Sequence, residues 1–401
     1  MSWYQVPEDH PYGLSALPYG IFSISADAPR VGVRIGDEIV DIAAIAAQSA
    51  HSLADILAAE SLNPLMAQGP QAWAETREWV LSLLTNSEHE SLVRKHLYPV
   101  DRATMQLPIV VADYVDFYAS EQHATNVGKI FRPNADALTP NWKHLPIGYH
   151  GRSSTVVVSG TDVVRPCGQR KPPDGAPTYG PSQRLDIECE LGFIVGQTSS
   201  IGGRVSVDEA YDHIFGVVIL NDWSSRDLQA WEYVPLGPFL GKSFATSISA
   251  WVLPMAALET AKIDLPGQDP APLDYLAGDG RGLKGLDIDC EVLLNGTVVS
   301  RPPYKAMYWS PAQMLAHLSV NGAAVSIGDL FGSGTISGDA ADQRGSFLEL
   351  SWSGEQPMTL ADGSTRSFLE DGDTVTLRAT ANAGGTRIAL GEVTGTILPA
   401  T

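Results

Sequence analysis

Residues 184–195 have the sequence Arg184-Leu-Asp-Ile-Glu-Cys-Glu-Leu-Gly-Phe-Ile-Val195, whose composition is typical of a β-strand. Side chains alternate between the two faces of a strand, so Glu188 and Glu190 point to one side while Cys189 points to the other. The run 191–195 that follows is apolar, and the second carboxylate has no obvious route to water there. The stretch therefore predicts a strand that carries two neighbouring carboxylates toward an apolar region.

Two carboxylates this close repel each other unless one is protonated or a cation lies between them. A hard divalent ion is the natural partner, because the segment has no paired His or Cys. The alternation fits a solvated strand face equally well. Residues 286–294 alternate in the same way, with Asp287, Asp289 and Glu291, and we interpret that strand as a solvated face. The pattern alone leaves both interpretations open for Glu188 and Glu190.

Strand patterns dominate the rest of the chain. They predict strands over residues 21–25, 30–35, 38–42, 215–220, 286–294, 347–352, 374–379 and 387–390. Gly36-Asp37 and Asn295-Gly296 predict hairpin turns. A helical pattern covers 52–84, and Ser310 with Gln313 predicts a capping box ahead of another helix. Residues 86–105 have no clear period, which predicts a domain junction. Since no repeat and no regular βαβ alternation occurs, we expect a mostly β, α+β fold.

Composition limits the function classes. The 401 residues include 26 Lys+Arg and 46 Asp+Glu, a formal charge of −20, which argues against a nucleic-acid partner. The three cysteines show no metal-binding or disulfide spacing, which favours a reducing compartment. No apolar stretch is long enough to predict a membrane span, and the first residues do not resemble a secretion signal. We therefore expect a cytoplasmic protein without nucleic-acid or membrane partners.

A second candidate cluster begins at Asp222, which follows the apolar run 215–220. If residues 223–233 are helical, Asp222, Arg226, Gln229 and Tyr233 share one helix face. A surface Asp–Arg ion pair would explain part of this pattern. The combination of an acid, a guanidinium, an amide and a phenol also suits a site for a polar, anionic substrate.

Other candidates for the site are individual residues whose neighbours in the sequence suggest a catalytic role. Asp116 and Tyr118 stand two residues apart, just ahead of His123, and an imidazole suits general-base catalysis near neutral pH. Glu349 lies between two leucines and needs a partner if it is buried, a role that a histidine would fill. Lys242 could stabilise a developing oxyanion, although a solvated lysine is the commoner case.

Several long runs carry a more specific signal. They are Asp113-Tyr-Val-Asp-Phe-Tyr118, Glu121-Gln-His-Ala-Thr-Asn-Val-Gly128, His144-Leu-Pro-Ile-Gly-Tyr-His-Gly-Arg152, Asn221-Asp-Trp-Ser-Ser-Arg-Asp227, Trp231-Glu-Tyr-Val-Pro-Leu-Gly-Pro-Phe-Leu-Gly-Lys-Ser243 and Ser333-Gly-Thr-Ile-Ser-Gly338. In these runs the chain closely resembles the fumarylacetoacetate hydrolase family, from about Pro18 to Pro399. The resemblance implies a small SH3-like β barrel over residues 1–112 and a catalytic mixed β-sandwich roll over residues 113–401. It also implies a homodimer.

The resemblance further implies which residues form the site. The family's metal positions, for Mg²⁺ and/or Ca²⁺, fall on Asp116, Glu188, Glu190, Asp222, Lys242 and Thr246. A backbone and hydroxyl contact near a second ion falls on Ala245 and Thr246. Its catalytic positions fall on His123 as general base, Glu349 as its partner, and Arg226, Gln229 and Lys242 as oxyanion contacts. Its substrate positions fall on Tyr118, Arg132, Tyr149, Gln229, Tyr233 and Thr335.

The activity implied is metal-dependent hydrolysis of the carbon–carbon bond of 4-fumarylacetoacetate, a small diketo acid, to fumarate and acetoacetate. This is the last step of tyrosine and phenylalanine breakdown. Ala245 and Ala250 depart from the glycine and proline expected from animal members, but neither change removes a reacting side chain. Two alternatives stay open: hydrolysis or decarboxylation of another diketo acid, and a non-catalytic protein whose acids hold a structural Ca²⁺.

Overall fold

The computed structural model describes residues 2–7, 9–280 and 282–401. Its strands are β1 (Tyr19–Ile24), β2 (Arg30–Ile35), β3 (Glu38–Val40), β4 (Leu97–Pro99), β5 (Ala103–Gln106), β6 (Tyr114–Phe117), β7 (Gly148–His150), β8 (Val156–Val158), β9 (Val163–Val164), β10 (Cys167–Arg170), β11 (Thr178–Pro181), β12 (Leu185–Asp186), β13 (Cys189–Val195), β14 (Ile214–Asp222), β15 (Ser224–Ser225), β16 (Thr246–Ile248), β17 (Trp251–Pro254), β18 (Lys262–Asp264), β19 (Lys284–Leu286), β20 (Ile288–Leu294), β21 (Thr297–Ser300), β22 (Leu330–Gly332), β23 (Met358–Thr359), β24 (Thr365–Arg366), β25 (Thr374–Ala383) and β26 (Thr386–Leu398). The α-helices are α1 (Ile42–Gln48), α2 (Ala54–Leu57), α3 (Asn63–Met66), α4 (Gly69–Thr85), α5 (Glu90–Val93), α6 (Glu121–Phe131), α7 (Ala210–His213), α8 (Arg226–Glu232), α9 (Asp274–Ala277), α10 (Pro311–Ser319) and α11 (Phe347–Leu350).

The N-terminal unit is a small antiparallel sheet in the order β4-β3-β2-β1, with β5 also paired to β1. The predicted hairpin is present, and Gly36 takes the positive φ of 59° that its turn requires. The junction predicted at residues 86–105 is wrong, because this segment contains β4 and β5 and so belongs to the first unit. Strands of three and four residues are too short to show a period in the sequence.

The main sheet continues from this unit into the larger domain through β1 and β17, where Gly20 lies opposite Trp251. A Cβ at Gly20 would lie 2.7 Å from the Trp251 ring, so this crossing needs a glycine. The order then runs β17-β14-β13-β22-β6-β7. Asp116 lies opposite Gly332 and Asp222 lies opposite Thr246. The register therefore gathers the ends of β6, β14 and β22 at one place.

A second sheet, in the order β21-β20-β25-β26-β9, covers the opposite side of the core. Leu191, Phe193 and Val217 of the main sheet share one buried cluster with Val292 and Leu377 of the second. The predicted mostly β, α+β class is confirmed, with a small N-terminal β domain ahead of a larger mixed domain. Among the described residues, none of the helices is both long and apolar enough to cross a bilayer.

Three local predictions were wrong. The strand predicted over 184–195 is divided into β12 and β13, and Glu188 lies between them. The helix predicted over 52–84 is divided into α2, α3 and α4, since Pro64 and Gly69-Pro70 start new helices rather than continue one. The strand predicted over 347–352 is the short helix α11, for which Ser346 is the N-cap residue. In contrast, Asn295 and Gly296 both have positive φ, as the predicted turn requires, and Ser310 with Gln313 forms the predicted capping box.

Asp41 anchors the N-terminal unit. Its side chain is fully buried, caps α1 by accepting from the Ala44 N–H at 2.9 Å, and accepts from Arg30 Nε at 2.7 Å. We expect Asp41→Asn to lower the free energy of unfolding by about 1–3 kcal/mol, measured by urea titration. The control is Asp27→Asn, which removes the exposed second acid 3.8 Å from Arg30 and should change stability by less than about 0.5 kcal/mol. Equal effects of the two substitutions would contradict this account.

Candidate active site

A cavity of about 710 Å³ opens between α6, α8 and the end of β6. Most of the predicted site residues line it: Asp116, Tyr118, His123, Arg132, Tyr149, Glu188, Arg226, Gln229, Tyr233, Lys242 and Thr335. The remaining predicted residues are also buried: Glu190, Asp222, Thr246 and Glu349 to 1% exposure or less, and Ala245 to 7%. The candidates that lie far apart in the sequence are therefore collected around one cavity.

Asp116, Glu188, Glu190 and Asp222 form a cluster of carboxylates, of which Asp116 and Glu188 line the cavity. Each offers one oxygen, and these four oxygens lie within 4.8 Å of one another. All four side chains are buried, with Glu188 at 5% and Glu190 at 0% exposure. The solvated-face interpretation of Glu188 and Glu190 is thus excluded. On β20, Asp289 is exposed and Glu291 is half-buried, as predicted for a solvated face, whereas Asp287 precedes the strand and is half-buried.

The hydrogen-bonding capacity of the cluster is only partly used. Among the described residues, Asp116 Oδ1, Glu190 Oε1 and Asp222 Oδ1 are buried and lack a hydrogen-bond partner. Burial, followed by repulsion from neighbouring carboxylates, raises the pKa of Asp116 and of Glu190 well above the usual range. Burial also raises the pKa of Asp222, although Lys242 opposes this effect. A buried group of acids in this condition has the chemistry of a cation site.

Two buried cations flank Glu188. Arg226 Nη2 donates to Glu188 Oε1 at 2.8 Å, and Lys242 Nζ donates to both Glu188 and Asp222. Burial would raise the pKa of Glu188, but Lys242 and Arg226 outweigh burial and hold that pKa below its usual value. Glu188 is therefore ionised, and the two cations stand at the cavity wall, where Arg226 also donates from Nη1 to Gln229 Oε1 at 3.2 Å.

His123 and Glu349 form a buried pair. His123 Nδ1 lies 2.7 Å from Glu349 Oε2, while His123 Nε2 faces the carboxylate cluster, 3.8 Å from Glu188 Oε1. Burial would raise the pKa of Glu349, but the pairing with His123 and hydrogen bonds from Asn126 and Ser346 lower it. An ionised Glu349 accepts the proton of Nδ1 and leaves Nε2 as a proton acceptor. Tyr118 packs edge-on against the imidazole, with ring centres 5.2 Å apart.

The predicted substrate residues occupy different depths. Tyr149 donates to Asp222 Oδ2 at 2.6 Å, and Thr335 has a buried hydroxyl with no hydrogen-bond partner among the described residues. Arg132 and Tyr233 are exposed at the mouth of the cavity. Thr246 is buried on β16 beside Asp222 and does not line the cavity.

Sequence reasoning missed the side chains that hold these groups in place. Asn126 Nδ2 donates to Glu349 Oε1 at 2.9 Å, and the hydroxyls of Ser337 and Ser346 also donate to Glu349. Asp186, buried at 0% exposure, accepts from Arg226 Nε at 2.8 Å. One signal was available: Ser346-Phe-Leu-Glu349 has the spacing of a capping box, which predicts the start of a helix. Asn126 and Asp186 have no comparable signal.

The chain is similar to known proteins along most of its length. Two family profiles match the chain: "Fumarylacetoacetase N-terminal" over residues 15–108 and "Fumarylacetoacetate (FAA) hydrolase C-terminal" over residues 113–398. Among curated relatives, the fumarylacetoacetase of Homo sapiens is 46% identical, with 100% of this chain and 99% of the relative covered. The fumarylacetoacetase of Dictyostelium discoideum is 43% identical, with 100% and 98% covered.

Solved structures share the fold at much lower identity. A fumarylacetoacetate hydrolase from psychrophilic Exiguobacterium antarcticum is 16% identical with a TM-score of 0.57, over 96% of this chain and 99% of that chain. A maleylpyruvate hydrolase from Sphingobium sp. SYK-6, solved in complex with manganese(II) ion and pyruvate, is 16% identical with a TM-score of 0.54, over 96% and 100%.

Proposed function

The chain belongs to the fumarylacetoacetate hydrolase family and is a hydrolase, and from this premise we propose that it cleaves 4-fumarylacetoacetate into fumarate and acetoacetate. The observation that supports this reaction most directly is the pairing of a buried His–Glu dyad with a carboxylate cluster in one cavity. His123 Nε2 and Glu188 Oε1, 3.8 Å apart, are the closest contact of the two groups. A proton acceptor and a cation site then meet where one substrate carbonyl would lie.

We propose that Asp116, Glu188, Glu190 and Asp222 hold a divalent ion, Mg²⁺ or Ca²⁺. The residues fit this role, because three of their oxygens are buried without a hydrogen-bond partner among the described residues. All four residues are carboxylates, and hard divalent ions of this kind prefer oxygen ligands. When bound, the ion supplies Lewis-acid stabilisation of the enolate that forms as the diketone is cleaved.

The protein's own groups account for the other steps. His123 Nε2 takes a proton from water while Glu349 stabilises the imidazolium that results. The hydroxide attacks the carbonyl next to the fumaryl carbon, and Arg226 and Lys242 stabilise the alkoxide. Collapse of the alkoxide breaks the carbon–carbon bond, and the departing acetoacetate carbon takes its proton from the His123 imidazolium. Gln229 takes part because its carbonyl oxygen accepts from Arg226, which leaves its NH₂ group to donate into the cavity. We assign the recognition of substrate carboxylates and carbonyls to Tyr118, Arg132, Tyr149, Tyr233 and Thr335.

Product analysis in ¹⁸O-labelled water tests the reaction. Attack at the fumaryl carbonyl places one labelled oxygen in the carboxylate of fumarate and none in acetoacetate. Release of CO₂ would instead favour a decarboxylase, and faster cleavage of an acylpyruvate would assign the site to another diketo acid. An absence of turnover, combined with a melting temperature that depends on Ca²⁺, would favour the structural-ion alternative.

Gly332 offers a direct test of the ion site. A Cβ at this position would lie 2.5 Å from Asp116 Oδ1 and 2.7 Å from Glu190 Oε2. We expect Gly332→Ala to displace both carboxylates and to lower divalent-ion affinity at least about 10-fold, measured by calorimetric titration. The control is Gly285→Ala on strand β19, where the nearest atom to a Cβ is an ordinary contact at 3.4 Å. Parent affinity in Gly332→Ala would count against the ion site.

We also propose that the chain forms a homodimer through the apolar loop 231–240. This loop exposes Val234, Leu236 and Phe239, with Leu236 exposed at 97%, and it adjoins the mouth of the cavity. Such a contiguous apolar patch is typical of an interaction surface. Sedimentation at twice the mass of the chain supports this proposal, and a monomer at assay concentration contradicts it.

We propose the cytosol as the compartment, which is supported by three cysteines that are free thiols in the structure. Fractionation of the source cells tests this assignment, and recovery outside the cytosol would contradict it.

A further inference from the structure

Asp186 does not line the cavity and was not predicted from the sequence, yet it contacts both Arg226 and the helix that carries Glu349. It ends the two-residue strand β12, and its side chain is fully buried. Its Oδ2 accepts from Arg226 Nε at 2.8 Å and from the Leu348 N–H at 3.0 Å. Its Oδ1 accepts from the Phe347 N–H at 2.7 Å and from the Ile187 N–H at 2.7 Å. Four donors therefore satisfy this one buried carboxylate.

Asp186 holds two groups that are distant from it in the sequence, Arg226 and the start of α11. These two groups serve different parts of the reaction. Arg226 extends from Asp186 to Glu188 and Gln229, at the wall where the alkoxide is expected. Phe347 and Leu348 are the first two residues of α11, and the next residue is Glu349, which contacts His123 at 2.7 Å. One carboxylate thus connects the oxyanion contact with the helix that carries the partner of the general base.

Helix α11 depends on this connection because it has only four residues. Its third N–H, that of Glu349, faces the Ser346 hydroxyl at 3.4 Å, and the first two face Asp186. A helix of this length has too few internal hydrogen bonds to hold its own position. Asp186 therefore links the backbone of α11, which carries Glu349, directly to Arg226.

We propose that Asp186 is a positioning residue for the reaction, which fixes Arg226 and the His123–Glu349 pair relative to each other. This inference rests on the proposed function. In Asp186→Asn the amide replaces one acceptor oxygen by a donor, so it cannot accept from all four N–H groups. We expect kcat to fall about 10- to 100-fold, because small displacements of reacting groups have effects of this size, while KM changes less than about threefold.

Asp41→Asn is the matched control for a purely structural effect. Asp41 is also fully buried, also accepts from an arginine Nε and also caps a helix, but it lies in the N-terminal unit and does not line the cavity. We expect both variants to lower the melting temperature and only Asp186→Asn to lower kcat. An Asp186→Asn variant that melts early and retains parent kcat would overturn the proposal.

A double-mutant cycle separates a positioning role from a general loss of stability, because it measures how the effects of two substitutions on kcat depend on each other. If Asp186 acts through Glu349, adding Asp186→Asn to Glu349→Gln should lower kcat much less than it does in the parent. If the two substitutions act independently, so that their fold-changes in kcat multiply in the double variant, the proposal is overturned. If Asp186→Asn does not fold, Asp186→Glu keeps the charge for Arg226 and displaces α11, and parent kcat in that variant would equally overturn it. Absence of turnover by the unsubstituted protein would instead count against the proposed function, and this inference would fall with it.

Discussion

Replacing His123 by Asn is expected to lower kcat for 4-fumarylacetoacetate about 100- to 10,000-fold, the usual contribution of a general base. The amide cannot take a proton near neutral pH, but its NH₂ group can still donate to Glu349, which lies 2.7 Å from His123 Nδ1. The fold and the carboxylate cluster should therefore persist. Steady-state kinetics, combined with elemental analysis of the purified variant, measures both quantities.

The control is His144→Asn, which makes the same substitution at an exposed histidine. We expect parent turnover in this variant. If His123→Asn retained parent kcat, the general base would have to be another group. If it lost both turnover and bound ion, His123 would act on the cluster rather than on water.

The second large effect is expected for Glu190→Gln. Glu190 Oε1 is buried and has no hydrogen-bond partner among the described residues. Among the same residues the Glu190 carboxylate forms no salt bridge, whereas Lys242 pairs with Glu188 and Asp222. Removing this charge should lower divalent-ion affinity at least about 100-fold and remove ion-dependent turnover. In the parent, saturating ion should raise the free energy of unfolding by about 2.7 kcal/mol at 100 times Kd, and Glu190→Gln should lose this rise.

Without the ion, Glu190→Gln should not lower the free energy of unfolding. Burial and the neighbouring carboxylates raise the pKa of Glu190 above its value in the unfolded chain. The folded state then binds more protons, so this group lowers stability as pH rises from its unfolded pKa toward its folded pKa. Glu190→Gln removes the effect, and at neutral pH the ion-free variant should be at least as stable as the ion-free parent.

Glu291→Gln is the matched control, since it makes the same substitution on the alternating strand β20, where Glu291 is half-buried and pairs with Arg301 at 3.2 Å. It should leave ion affinity unchanged. Parent ion affinity in Glu190→Gln, or an ion-free variant much less stable than the ion-free parent, would indicate that Glu190 has a structural role only.

Much of the fold was predictable because it depends on local patterns. The turn at Asn295-Gly296 and the capping box of Ser310 and Gln313 are both present in the structure. The segment 86–105 and helix α11 were not predicted correctly, since β4, β5 and α11 have four residues or fewer. Elements this short are determined by their tertiary partners, such as β1 for β5 and Asp186 for α11.

The site, like the fold, was predictable from the sequence only where it depends on local patterns. Alternation on the strand placed Glu188 and Glu190 on one side, but the same alternation occurs at Asp289 and Glu291, which are not fully buried. Burial of the first pair results from strand register, which brings Asp116 and Asp222 to the same point. Resemblance to a family added Arg132, Tyr149, Ala245, Thr246 and Thr335 and gave the other site residues their roles. Asp186 and Asn126 became visible only through their contacts in three dimensions.

The most direct test of the central claim is to treat the purified protein with a chelator, add 4-fumarylacetoacetate and follow the ultraviolet absorbance of the conjugated diketone. Untreated protein is predicted to remove this absorbance rapidly. Chelated protein is predicted to leave it unchanged until Mg²⁺ or Ca²⁺ is restored. Turnover that persists at the full rate after the ion has been removed, or no turnover with the ion present, would contradict the account.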